Sequence, residues 1–239
     1  MISDSALGTL ASKYQTTELN VRREYFQQLF LSNFYQQPQT GKIYFKGGTA
    51  LRVLYNSPRF SEDLDFSSSL REIRAIEQAV LETLEAIGRE NIETDIKESK
   101  KTSGGYLAII SFESGETLVE IQMDISLRAG GKNGEVVTIA SDYLPAFTLV
   151  ALVKEQLIDE KIQALLSRKK ARDFYDLYFI LRANLLPPKE KAVLAQALKV
   201  LKQSRINFEK ELKEFLPKSH WAIIRDFPIT LEREIERFL

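Results

Sequence analysis

The stretch Lys46-Gly47-Gly48-Thr49-Ala50-Leu51, followed by Arg59-Phe60-Ser61-Glu62-Asp63-Leu64-Asp65-Phe66, decides the fold. Just ahead of it, Ile43, Tyr44 and Phe45 form an apolar run that predicts a strand. The Gly-Gly pair turns that strand into a short helix, Thr49 to Tyr55. Glycines let the backbone approach a ligand closely and present bare N–H groups at a helix N-terminus, where an anion is favoured. A second predicted strand carries two carboxylates with one residue between them. Alternation puts Asp63 and Asp65 on one face and turns Leu64 and Phe66 toward the core. Neighbouring carboxylates repel unless a cation lies between them, and a hard divalent cation answers that need. A phosphate cradle beside a metal-binding pair points to chemistry on a nucleoside triphosphate.

Composition narrows the chemistry further. The chain has 239 residues, enough for one domain or two small lobes with a substantial core. Its 44% hydrophobic and 28% charged residues are those of an ordinary globular protein. Cysteine is absent, which removes disulfides, zinc–thiolate sites and thiol nucleophiles together. His220 is the single histidine, so a His-Asp relay or a His-rich metal site is nearly excluded and catalysis is expected to rest on carboxylates, lysines, hydroxyls and a metal. The net charge of zero gives no global field that would announce a nucleic acid. No apolar run reaches the roughly 18 residues of a membrane span, and Met1-Ile2-Ser3-Asp4 has no signal-peptide pattern, so a cytoplasmic location without a membrane partner is expected.

Periodicity lays out the remaining elements. Residues 17–36 show helical spacing through Val21, Tyr25, Leu29, Phe30 and Phe34. Ile73, Ile76, Val80, Leu84 and Ile87 mark an amphipathic helix. Three strands are expected at Ile92 to Glu98, Tyr106 to Phe112 and Leu118 to Leu127, joined by turns at Ser103-Gly104-Gly105 and Ser114-Gly115-Glu116. From Pro145 strand signals vanish, and helices are expected over about 145–166, 170–183, 188–203, 206–216 and 228–239. The fold class is therefore α+β: an α/β lobe with a mixed sheet over residues 1–140, then an all-helical lobe over 141–239.

Two-metal transfer to an oxygen nucleophile uses a third acid on a neighbouring strand. In Leu118 to Ser126, alternation places Glu120, Gln122 and Asp124 on one face and Val119, Ile121, Met123 and Ile125 on the other. Asp124 is the first candidate and Glu120 the second, since an Asp in a strand runs against propensity. The plain alternative is three solvated carboxylates on an open sheet face.

These residues resemble the AbiEii/AbiGii nucleotidyltransferase family, within the DNA polymerase β-like superfamily. The resemblance implies a nucleotidyltransferase-like sheet and a toxin of a type IV toxin–antitoxin or abortive-infection system. It further implies that Gly47 and Gly48 grip the triphosphate, and that Asp63, Asp65 and Asp124 bind Mg2+ (or Mn2+) and act in catalysis. Thr49 and Ser61 join the nucleotide-binding set, Thr49 standing where many superfamily members have serine. A second stretch, Lys161 to Leu177 with Arg172-Asp173-Phe174-Tyr175-Asp176-Leu177, is similar to the family's later motif. It implies a phosphate-binding, catalytic Lys161, with Asp173 and Asp176 as nucleotide-binding wall residues. On spacing alone, Lys169 with Asp173 and Arg172 with Asp176 make an equally ordinary i, i+4 surface ladder.

The expected activity is transfer of NMP from an NTP to an acceptor hydroxyl, RNA by resemblance and the tRNA 3′ end in particular, with a separately encoded antitoxin as partner. Candidate acceptor contacts are Arg168-Lys169-Lys170-Ala171-Arg172, the Lys97, Lys100 and Lys101 group, and Lys199, Lys202 and Arg205. Phe174, Tyr175, Tyr178 and Phe179 are expected in the core, not as base-stacking platforms. The rival expectations are NMP transfer to a protein hydroxyl, and NTP binding without turnover by a protein that sequesters a partner.

Overall fold

The computed structural model describes residues 2–114, 117–128 and 131–239. It divides into two compact units, Met1–Asn56 with Phe60–Val153, and Ser57–Arg59 with Lys154–Leu239.

In the first unit, Ser3 starts α1 (Asp4–Lys13) by accepting a hydrogen bond from the N–H of Ala6. Thr17 caps α2 (Glu18–Phe34) in the same way, through Asn20. Next come β1 (Ile43–Lys46), α3 (Gly47–Tyr55), β2 (Leu64–Ser68) and α4 (Ile73–Gly88). The strands β3 (Glu93–Thr102), β4 (Gly105–Ser114), β5 (Thr117–Ser126), β6 (Gly134–Ile139) and β7 (Phe147–Leu152) complete the unit. The turn expected at Ser114-Gly115-Glu116 lies outside the described residues, although Ser114 pairs with Thr117 across it.

The seven strands form one mixed sheet in the order β3-β4-β5-β2-β1-β7-β6. β1 pairs with β2 antiparallel, while β1–β7 and β2–β5 are parallel. One face of the sheet is apolar. Ile43, Phe45, Leu64 and Phe66 are fully buried there. Phe26 of α2 stacks on Phe112 at 5.1 Å, and Phe34 packs against Phe66 at 5.6 Å. That burial, at about 25 cal/mol per Å² of apolar surface, clamps α2 over the sheet. With one face used for the core, alternation leaves Lys46, Asp65 and Asp124 to the other.

Residues 145–166 are not one helix. Phe147-Thr148-Leu149-Val150-Ala151-Leu152 is a strand, added in parallel beside β1 with Phe45 opposite Ala151. A continuous apolar run fits a fully buried parallel strand as well as a buried helix, and Leu149, Ala151 and Leu152 are at most 1% exposed. β6 forms an antiparallel hairpin with it. The sheet unit therefore extends to Val153, and the boundary expected at 140/141 moves there.

The second unit is helical: α5 (Lys154–Arg168), α6 (Ala171–Arg182), α7 (Leu194–Gln203), α8 (Phe208–Leu212), α9 (Trp221–Arg225) and α10 (Phe227–Glu236). Its core is aromatic, as expected for Phe174, Tyr175 and Tyr178, while Phe179 is only half-buried. Phe208 lies 5.0 Å from Phe227 and 5.5 Å from Phe174, and Tyr175 stacks on Phe227 at 5.9 Å. Among the described residues no helix is long and apolar enough to cross a membrane.

Candidate active site

β1 delivers the chain into Gly47, whose φ of 86° lies in the left-handed region that favours glycine. A Cβ at this position would sit 2.1 Å from Oδ2 of Asp65 and 2.7 Å from its Cβ. The glycine is thus required twice, once for the turn and once because its backbone lies against the Asp65 carboxylate. α3 begins at that point, so its first N–H groups are available beside an acid.

The loop leading to β2 is held by side chains of α2 and α3. Gln27, 1% exposed, donates through Nε2 to the carbonyls of Ser61 and Glu62, both at 3.0 Å. The Thr49 hydroxyl donates to the Asp63 carbonyl at 2.5 Å and is buried. Thr49 therefore acts as a brace on Asp63, and its hydroxyl does not face the site as expected. Arg52 fixes α3 to α2 through a two-point contact with Glu24 at 2.7 and 2.9 Å. Its guanidinium also covers the Phe60 ring at 3.5 Å.

Register assembles the acids. β2 and β5 are parallel with Asp65 opposite Asp124, while β1 sets Lys46 opposite Asp65. Strands lie about 4.8 Å apart, so Lys46, Asp65 and Asp124 form one row across three strands. Gln122 donates to Asp124 Oδ2 at 2.6 Å. Glu120 pairs with Ser111 and precedes the stretch of β5 that meets β2, so Asp124 is the acid with a partner. Asp63 stands immediately before β2 and not within it, because the strand starts at Leu64. Among the described residues no three His, Asp or Glu side chains gather as a metal-ligand cluster.

A hard divalent cation nevertheless suits the donor set. Mg2+ takes oxygen ligands, keeps several waters, and is usually held by one or two carboxylates plus substrate phosphates. Asp65 and Asp124 supply the carboxylates in register, Asp63 stands beside them in sequence, and Gly47 leaves open the space that a Cβ would fill.

In the helical unit, the later motif is built differently from the expected surface ladder. Asp176, 1% exposed, accepts from Arg59 Nε at 2.9 Å and Nη2 at 3.1 Å, and from Lys161 Nζ at 2.7 Å. Burial alone would raise its pKa, but the two cations outweigh that and lower it to about 2. Asp173, 2% exposed, accepts from the Lys170 N–H at 3.1 Å and from Arg168 at 2.7 Å, which caps α6. Both carboxylates are thus spent inside the unit. The expectation that they line a nucleotide is replaced by a cap and a buried ion triad. Arg59 and Gln27 escaped sequence reasoning, since their partners lie 117 and about 34 residues away. The expected basic clusters are partly neutralised: Lys97 pairs with Asp95, Lys100 with Glu98 and Lys202 with Glu232.

The fold has solved counterparts. JHP933 from Helicobacter pylori is similar with a TM-score of 0.58 and 20% identity, covering 93% of this chain and 95% of its own. A second H. pylori structure, assigned as a nucleotidyltransferase, gives a TM-score of 0.57 and 19% identity over 100% of this chain and 99% of its own. A comparison with curated protein sequences gave no match. These likenesses show the fold, a mixed sheet with flanking helices. The family model "Nucleotidyl transferase AbiEii toxin, Type IV TA system" matches residues 29–237, and the chain belongs to that family. The protein is accordingly a transferase enzyme that uses an NTP and a divalent metal, as the family does.

Proposed function

We propose that this protein transfers an NMP from an NTP to a hydroxyl of RNA, with the tRNA 3′ end as acceptor, Mg2+ (or Mn2+) as the metal, and a separate antitoxin as its neutralising partner. The observation that carries the reading is the Asp65–Asp124 register beside a glycine that only an unsubstituted Cα could occupy.

Asp63, Asp65 and Asp124 would hold the metal, which when bound neutralises charge on the α-phosphate and the departing pyrophosphate. Gly47 and Gly48 bind the triphosphate through backbone N–H groups, and the Ser61 hydroxyl adds a donor at the same loop. Asp124, oriented by the Gln122 amide at Oδ2, takes the acceptor hydroxyl proton. The freed oxygen then bonds to the α-phosphorus, the bond to the bridging oxygen breaks, and pyrophosphate leaves. Lys161, expected as a phosphate-binding cation, is committed to Asp176 inside the helical unit, so the proposed phosphate contacts rest on Gly47, Gly48 and Ser61.

The test is incubation of the purified protein with each α-³²P-labelled NTP, Mg2+ and total RNA. Label in a small-RNA band is the expected result and identifies the base as well. Label in protein instead would replace RNA by a protein hydroxyl, and NTP binding without pyrophosphate release would sink transfer altogether.

Gly47→Ala offers a check on the cradle. The new methyl must displace the Asp65 carboxylate, and misplacement of reacting groups by about 1 Å costs on the order of 100-fold in rate. Pyrophosphate release should fall by about that factor. Gly88→Ala, whose Cβ meets nothing within 4 Å, should leave the rate unchanged.

A further inference from the structure

Next to the acid pair lies a cavity of about 210 Å³ lined by Lys46, Asp65, Thr102, Asp124, Ser126 and Arg128, among others. The β3–β4 turn shapes it. The Leu127 N–H donates to the Gly104 carbonyl at 2.8 Å, which stitches the exit of β5 to that turn. A Cβ on Gly104 would fall 2.2 Å from Arg128 Nε and 2.5 Å from Nη2. The guanidinium therefore lies against the Gly104 backbone, in space that a side chain at residue 104 would contest. Among the described residues no carboxylate pairs with Arg128, although Asp65 and Asp124 line the same cavity.

A guanidinium without an acidic partner, in a cavity that Thr102 and Ser126 also line, matches the oxygens of a phosphodiester. The volume is below the roughly 300 Å³ at which pockets begin to take a drug-sized ligand whole. That size favours part of a nucleotide over a whole one. The triphosphate is already assigned to Gly47 and Gly48, on the Asp65 side. We propose that this cavity is the acceptor site. In it Arg128, with Thr102 and Ser126, clamps the last phosphodiester of an RNA end and so sets the terminal hydroxyl against Asp124. The inference rests on the nucleotidyl-transfer reading and names the chemistry that site recognises in its acceptor.

The experiment is fluorescence anisotropy on the full chain with a labelled oligoribonucleotide ending in CCA. A second probe carries an uncharged methylphosphonate at its last linkage. Arg128→Ala should weaken binding of the first probe about 10-fold or more, and Arg128→Lys should restore part of it. The methylphosphonate probe should bind wild type as weakly as the phosphodiester binds Arg128→Ala, with no further loss when both changes are combined. NTP affinity should stay within about twofold, because the clamp does not touch the triphosphate. Arg128 is exposed, so its replacement should leave the thermal midpoint in place. The idea is overturned if wild type does not bind the oligonucleotide, if Arg128→Ala binds it as wild type does, or if the loss is equal on the uncharged probe. Equal loss of NTP binding also overturns it. Binding is read without turnover, so an Arg128-dependent complex that transfers nothing would refute only the transfer reading. Transfer to RNA that ignores Arg128 would refute only the clamp.

Discussion

Asp65→Ala will reduce nucleotidyl transfer by about a thousandfold or more, several kcal/mol of transition-state stabilisation at 1.4 kcal/mol per tenfold. Asp65 is the middle member of the Lys46–Asp65–Asp124 row and abuts Gly47, so its loss removes one carboxylate of the registered pair at the point where the backbone makes room for substrate. Its relief of repulsion with Asp124 offsets the lost contacts, and the thermal midpoint should move by only a few degrees. Asp65→Asn should be equally inactive, because the amide keeps the shape and loses the charge. Pyrophosphate release measured beside a melting curve distinguishes a disabled site from a disabled fold. A fully active Asp65→Ala protein would falsify the mechanism.

Asp176→Ala should destabilise the helical unit by about 3–5 kcal/mol, the cost of leaving buried cations without a counter-ion. Arg59 and Lys161 are 5% and 10% exposed at the side chain, so neither can turn to water without unpacking. Chemical denaturation with helical circular dichroism reads the change directly. Replacing the whole triad by Arg59→Met, Lys161→Met and Asp176→Leu should recover most of the loss, since matched apolar groups of similar volume often equal a buried ion cluster. The same carboxylate makes the protein acid-sensitive in a defined window. The native Asp176 holds its proton with a pKa of about 2, below the ordinary 3.8, so the unfolded chain binds more protons as pH falls. Its contribution is fully present above about pH 4 and disappears toward pH 2, and Asp176→Ala should lose that slope. His220, lowered by burial, acts in a separate window nearer neutrality.

The elements around the glycine turn were legible because each residue type there has one physical use. Gly47 permits a positive φ, and alternation between Leu64 and Phe66 aims Asp65. The β5 pattern also reads correctly, with Val119, Ile121, Met123 and Ile125 buried and Asp124 on the other face. β7 failed for a stated reason: Phe147 to Leu152 is apolar throughout, and period cannot separate a buried parallel strand from the start of a buried helix. α1 escaped because Leu7 and Ala11 alone bury fully in a segment rich in Ser, Gly and Thr. Asp176 had a plausible local partner in sequence, Arg172, yet its cations come from Arg59 and Lys161, on other segments. Local spacing carries local pairs, and the partners that fix Asp63, Asp176 and Arg128 are set by tertiary packing.

The strand order also fixes when this toxin can become active. Asp65 meets Asp124 only after a loop of roughly sixty residues has closed, and β1 gains its second neighbour only when β7 has been made. Pairing of that kind is non-local and slow to form. At 5–20 residues per second, the ribosome needs on the order of 10 s between the first acid and the last strand. Through that interval the nascent chain has its glycine turn but no completed acid row. On the proposed mechanism, a cell that makes this protein is shielded by its own sheet topology during synthesis, and a neutralising partner would have that time to be waiting.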